Sequence, residues 1–144
     1  MEQNTINFFF EDISEPVLDY KKIKHWLSLL IDNHKYNLAE LNYILCSDEY
    51  LLKINKEYLD HDYYTDIITF DNSEEEASIE GDVFVSIDRV NDNSTNLNTT
   101  KTDETLRVVA HGVLHLCGFK DKTEEEASEM RKQEDIAIEL YHKQ

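Results

Sequence analysis

Thr65-Asp66-Ile67-Ile68-Thr69-Phe70 and Gly81-Asp82-Val83-Phe84-Val85-Ser86-Ile87 decide the architecture. Both runs are rich in β-branched and aromatic residues, which suit a pleated, half-buried surface. Between them Ser73-Glu74-Glu75-Glu76 forms an acidic loop, so two strands follow one another with no helix between. Upstream, strand and helix alternate. Ile6–Phe10 is a short apolar run that predicts a strand. Asp19–His34 has helical spacing, with Tyr20, Ile23, Leu27, Leu30 and Ile31 on one face and Trp26 beside them. Glu40–Cys46 alternates as a strand. Ser47 then suits an N-cap, with Asp48 and Glu49 in the first turn of a helix that carries Leu51, Leu52, Ile54, Asn55 and Tyr58. Downstream there are only helices. Asp88–Leu97 is helical, and Asn93–Thr102 is polar and loop-like. Thr102 offers a cap for a helix from about Asp103 to Cys117. Thr123-Glu124-Glu125-Glu126 fits a capping box, opening a last helix with Ala127, Met130, Ala137, Leu140 and Tyr141 inward. This order predicts one α+β domain over residues 1–144, a mixed sheet of about four strands packed with about five helices.

Composition sets the outer bounds. A chain of 144 residues can bury a real core. Three glycines and one proline argue against an array of short strands and tight turns. Cys46 and Cys117 form no C-x-x-C and read as reduced thiols of a cytoplasmic protein. No apolar stretch approaches membrane-spanning length, and Met1-Glu2-Gln3-Asn4 lacks the basic start of a signal peptide. The formal net charge of -17 speaks against general nucleic-acid binding, because phosphate contacts need Lys and Arg. DNA is not expected as a partner, although a local basic groove on an acidic protein is compatible with RNA.

The chemistry concentrates in His111-Gly112-Val113-Leu114-His115-Leu116-Cys117-Gly118-Phe119-Lys120-Asp121. Two histidines four apart lie one above the other on a helix and can hold one divalent metal. Gly118 ends the helix, and the chain reversal can return Asp121 to the pair. At about 100° per residue, Leu106, Val109, Ala110, Val113, Leu116 and Cys117 gather on a broad apolar face. His111 and His115 share the narrow opposite stripe with Glu104 and Arg107, and Gly112 at its border permits close approach. The plainer alternative is two surface histidines and a surface turn aspartate. The zinc-protease pattern H-E-x-x-H is not present, since Gly112 stands where its general base would be. Cys117 lies on the apolar face, far from His115, and suits the core better than nucleophilic catalysis.

These residues resemble the YbeY-type endoribonucleases, the rRNA maturation factors, whose signature is H-G-x-L-H-L-x-G-[YF]-x-H. Two further blocks agree: Ile54-Asn55-Lys56-Glu57-Tyr58 with Asp62 and Thr65–Phe70, and Gly81-Asp82-Val83-Phe84-Val85. The resemblance implies a zinc-dependent, single-strand-preferring endoribonuclease in rRNA maturation, at the 16S 3′ end, and ribosome quality control. It implies one Zn2+ per chain on His111, His115 and Asp121, and ribosomal RNA with the small ribosomal subunit as partners. Three positions depart from the pattern. The third histidine falls on Asp121, a permitted zinc ligand that leaves the bound water less acidic. Leu59 occupies the place of the family's functional arginine, and Tyr64 that of a proline. Arg107, one turn before His111, and Lys56, one turn before Leu59, are the candidate catalytic cations that could substitute; the alternative for each is solvated surface charge. His61 could approach the cleft. Asp66 could support the metal ligands or bind a backbone amide, with a strand-start turn contact as the plain alternative, and Asp82 could satisfy backbone donors. A His-His-carboxylate set also suits Fe(II) or Ni(II), and only the resemblance favours zinc. Two rival functions are a ribosome-associated assembly factor with weak or no nuclease activity and a metallohydrolase acting on a substrate other than RNA.

Overall fold

The computed structural model describes residues 5–144; Met1–Asn4, read above for signal character, lie outside them. The order is β1 (Thr5–Glu11), α1 (Tyr20–Asn33), β2 (Asn37–Cys46), α2 (Asp48–Leu59), β3 (Ile67–Asp71), β4 (Ser78–Ser86), α3 (Ile87–Asn96), α4 (Lys101–Leu116) and α5 (Glu124–Lys143). The four strands form one mixed sheet in the order β1-β2-β4-β3. β1 and β4 each pair parallel with β2, while β3 runs antiparallel to β4. The α+β reading holds.

Alternation along the strands sorts the core into two layers. Leu41, Tyr43, Leu45, Ile79, Val83 and Val85 face the main core with α1, α4 and α5. Cys46 and Ile68, with Ile44, Phe70 and Phe84, face a smaller cluster under Leu51 and Ile54 of α2. Two buried side chains tie helices into place: Tyr43 Oη donates to the Val109 carbonyl of α4 at 2.7 Å, and Trp26 Nε1 donates to the Ala137 carbonyl of α5 at 2.7 Å. Both cysteines are free and buried, and burial pushes the Cys117 thiol up to about 12. No helix among the described residues is long and apolar enough to cross a membrane.

Several local expectations are corrected. α4 is capped by Thr100, not Thr102; the Thr100 hydroxyl accepts from the Asp103 amide at 3.0 Å. Thr102 is already inside the helix. β2 starts at Asn37 and not at Glu40; a register shift between Leu38 and Glu40 interrupts the alternation over its first residues. Thr65 and Asp66 precede β3 instead of opening it. Ala127 is exposed in the first turn of α5, ahead of where that helix meets the core. Asp82 accepts from the side-chain amides of Asn42 and Asn72, so it satisfies side-chain donors and not backbone ones.

Candidate metal centre

The site is built where α4 ends. The Thr123 capping box fixes the start of α5. Gly118 takes φ +97 at the end of α4, a conformation only glycine adopts without strain. The Gly118 amide donates to the His115 carbonyl and the Phe119 amide to the Leu114 carbonyl, both at 3.0 Å. This paired capping arrangement turns the chain sharply. Asp121 is thereby returned to the two histidines one helical turn apart.

His111 Nε2 and His115 Nε2 lie 3.2 and 3.4 Å from the same oxygen, Asp121 Oδ2. One donor atom from each residue falls within 4.8 Å of the others. The opposite ring nitrogens are held separately: His111 Nδ1 donates to Glu134 Oε2 at 2.6 Å, and His115 Nδ1 donates to the Phe119 carbonyl at 3.0 Å. A proton held on each Nδ1 leaves each Nε2 with its lone pair directed at the common point. Two imidazole nitrogens and one carboxylate form a donor set that fits a divalent metal with an open position. Burial lowers the His111 pKa, but the Glu134 hydrogen bond and the charges of Glu134, Asp121 and Asp66 outweigh it, so the net shift is upward.

The centre opens into a cleft of about 750 Å³ between α4 and the β3 segment. Thr65, Asp66, Ile67, Thr69 and Asp71 line it from the β3 segment, Glu104, Arg107, Val108, His111, His115 and Leu116 from α4, and Asp121, Arg131 and Glu134 complete the lining. Gly112 allows this construction, since a Cβ there would stand 2.8 Å from Val83 Cγ1 and 3.3 Å from Ile67 Cδ1. Five carboxylates and two guanidiniums line the space.

The structure brings together His111, His115, Asp121 and Arg107, along with Asp66. Arg107 is already engaged: its guanidinium donates to Glu134 at 3.0 Å and to Asp135 at 2.7 Å. Lys56 is not brought to the cleft; it sits exposed on α2, 3.3 Å from Asp62. Nor is His61, which stacks on Tyr63. Sequence reasoning missed Glu134 and Arg131. Glu134 had a signal, because it interrupts the apolar stripe Met130, Ala137, Tyr141 of α5 and is buried there. Arg131 had none, being one of several charged residues on an amphipathic helix.

Comparison with known proteins places these observations. The family model described as "Endoribonuclease YbeY" matches residues 9–142. A Cytophaga hutchinsonii protein named Endoribonuclease YbeY is 54% identical over 140 residues, 97% of this chain and 98% of that protein. Proteins of the same name from Flavobacterium johnsoniae and Christiangramia forsetii are 48% and 44% identical, covering 95% and 99% of this chain and 97% and 98% of their own lengths. The solution structure of TM1509 from Thermotoga maritima shares the fold, with a TM-score of 0.65 and 24% identity over 93% of this chain and 88% of that one.

Proposed function

The chain belongs to the YbeY family of endoribonucleases, and from that premise we propose that it is a zinc-dependent enzyme that cuts single-stranded RNA at the His111–His115–Asp121 centre. The observation that carries this reading is the convergence of two Nε2 atoms on one Asp121 oxygen, with each Nδ1 tied to an acceptor behind it. Zinc, when bound, supplies Lewis-acid polarisation of the phosphodiester and a lowered water pKa. The chain's own residues do the rest. Glu134 and the Phe119 carbonyl hold the imidazoles in the ligating tautomer. Arg107 enters as the group that holds Glu134, bridging it to Asp135. Thr65 to Asp71 and the α4 stripe form a trough open to a single strand. The whole chain works as one metallohydrolase domain, and its RNA is ribosomal, presented by the small subunit during 16S 3′-end maturation. Two buried free cysteines suit a reducing cytoplasm.

The test is the zinc content of protein purified without chelator, wild type beside His115→Ala and Asp121→Ala, followed by cleavage of a labelled single-stranded RNA. Near-stoichiometric zinc in wild type, lost in both variants together with cleavage, is expected. Zinc kept by Asp121→Ala would remove that residue from the ligand set. The acidic cleft favours a second reading, an assembly factor with little nuclease activity. Zinc-loaded wild type that binds ribosomal subunits and cuts no RNA would support it.

A further inference from the structure

Resting on the endoribonuclease reading, we infer that Arg131 is the side chain that takes a backbone phosphate of RNA bound at the metal centre. Each phosphodiester is an anion, and this cleft presents it with Asp66, Asp71, Glu104, Asp121 and Glu134. A cation of the chain that faces the strand beside the metal would offset these charges. Arg107 does not have a free fork, since Glu134 and Asp135 occupy it. Arg131 is the other guanidinium on the cleft wall, and among the described residues it makes no hydrogen bond and no ion pair.

Its position suits the task. Arg131 lies on α5 three residues before Glu134, whose carboxylate holds His111. It lines the main cleft and also a smaller recess of about 240 Å³ whose walls include His111, Asp121 and Met130. Arg131 therefore borders both the cleft and the edge of the metal centre. Its charge also reaches Glu104 across the cleft, where it opposes the rise that burial imposes on that carboxyl. A planar fork of donors matches two phosphate oxygens at once and is more weakly hydrated than an ammonium. An unpaired arginine at the rim of an otherwise acidic trough gives a strand its point of attachment, and it fixes which phosphate lies at the metal.

The experiment measures kcat and KM for a labelled single-stranded RNA with zinc-loaded wild type, Arg131→Ala and Arg131→Lys across a range of monovalent salt. Arg131 is exposed, so neither variant threatens the fold, and zinc content and melting temperature check this. Arg131→Ala is expected to lower kcat/KM by about tenfold or more. Its plot of log(kcat/KM) against log[salt] is expected to lose about 0.7 of slope, the signature of one lost single-strand phosphate contact. Arg131→Lys keeps the charge, so it should keep the wild-type slope while recovering part of the activity. An Arg131→Ala variant with wild-type kcat/KM and slope would overturn the inference, as would one whose activity fell only because zinc was lost. Zinc-loaded wild type that cuts no RNA would overturn the endoribonuclease reading as well, and the two failures are distinct.

Discussion

Glu134 illustrates how one side chain can set the chemistry of a site it does not enter. It is 6% exposed on a helix whose neighbouring inward positions are Met130, Ala137 and Tyr141, and it accepts from both His111 and Arg107. Glu134→Gln keeps the shape and an acceptor oxygen but loses the charge that favours the Nδ1 proton. Zinc affinity is expected to fall about 10- to 100-fold, read by competition with a chromophoric chelator; unchanged affinity would make Glu134 a packing residue only. His111, His115 and Asp121 were legible because their relation is local: one helical turn, a glycine stop and a short return. Glu134 and Arg131 were not, because they meet the site from a helix whose docking angle no local pattern encodes. Glu104 offers a pH test. It is 5% exposed and makes no hydrogen bond among the described residues. Burial raises its pKa, and Arg107 and Arg131 oppose this without cancelling it. A carboxyl with a raised folded pKa contributes stability that is full below its unfolded pKa and is lost as pH rises through the folded value. Glu104→Gln should therefore be more stable than wild type at pH 7 and converge with it below about pH 4, in denaturant melts of metal-free protein. A difference independent of pH would show that side-chain shape, not charge, is responsible.

At the level of elements, the site depends on how closely α4 lies against the β3–β4 pair. Gly81 and Gly112 set that distance. A Cβ on Gly81 would meet the Phe70 carbonyl oxygen at 2.5 Å and Leu116 Cδ2 at 3.2 Å, so β3 would have to part from β4 or α4 from the sheet. Gly81→Ala is expected to cost about 1–3 kcal/mol of stability and to reduce zinc affinity, since Leu116 adjoins His115. On Gly112 the Cβ would meet the stiff side chain of Val83 at 2.8 Å. There the better helix propensity of alanine, about 1 kcal/mol, offsets part of the strain, so Gly112→Ala should cost less. Denaturant unfolding of both variants gives the order, and a larger loss at Gly112 would place the tight contact on the helix side. Element type was legible along most of the chain, where period and capping residues agree; in Asn93–Thr102, read as loop-like, Asn93–Asn96 belong to α3 and Lys101–Thr102 to α4. The ends were less so. Thr100 and Thr102 are both good caps, but only Thr100 has an acidic residue, Asp103, three positions on; Thr102 has Thr105, whose hydroxyl instead donates to the Lys101 carbonyl within the helix.

For the molecule as a whole, the formal charge of -17 works against its substrate. RNA approaching an acidic surface gains no electrostatic steering, and the cleft adds five carboxylates to two guanidiniums, one of them already paired. Beyond Arg131, attraction falls to the metal centre, where a bound divalent ion would reverse the local sign beside His111, His115 and Asp121. Two charges about 4 Å apart interact by about 4 kcal/mol at an effective dielectric near 20, and each 1.4 kcal/mol is a factor of ten in affinity. Stripping the metal should therefore weaken RNA binding by more than about tenfold, besides ending cleavage. Fluorescence anisotropy of a labelled single strand, with metal-loaded and chelator-treated protein at the same ionic strength, measures this directly. Equal affinity in the two states would mean that the strand is held by surfaces remote from the centre, as an assembly factor would hold it, with the metal acting on chemistry alone. Restored affinity on adding back zinc, but not on raising monovalent salt to screen the general repulsion, would assign the attraction to the ion and not to the relief of net charge.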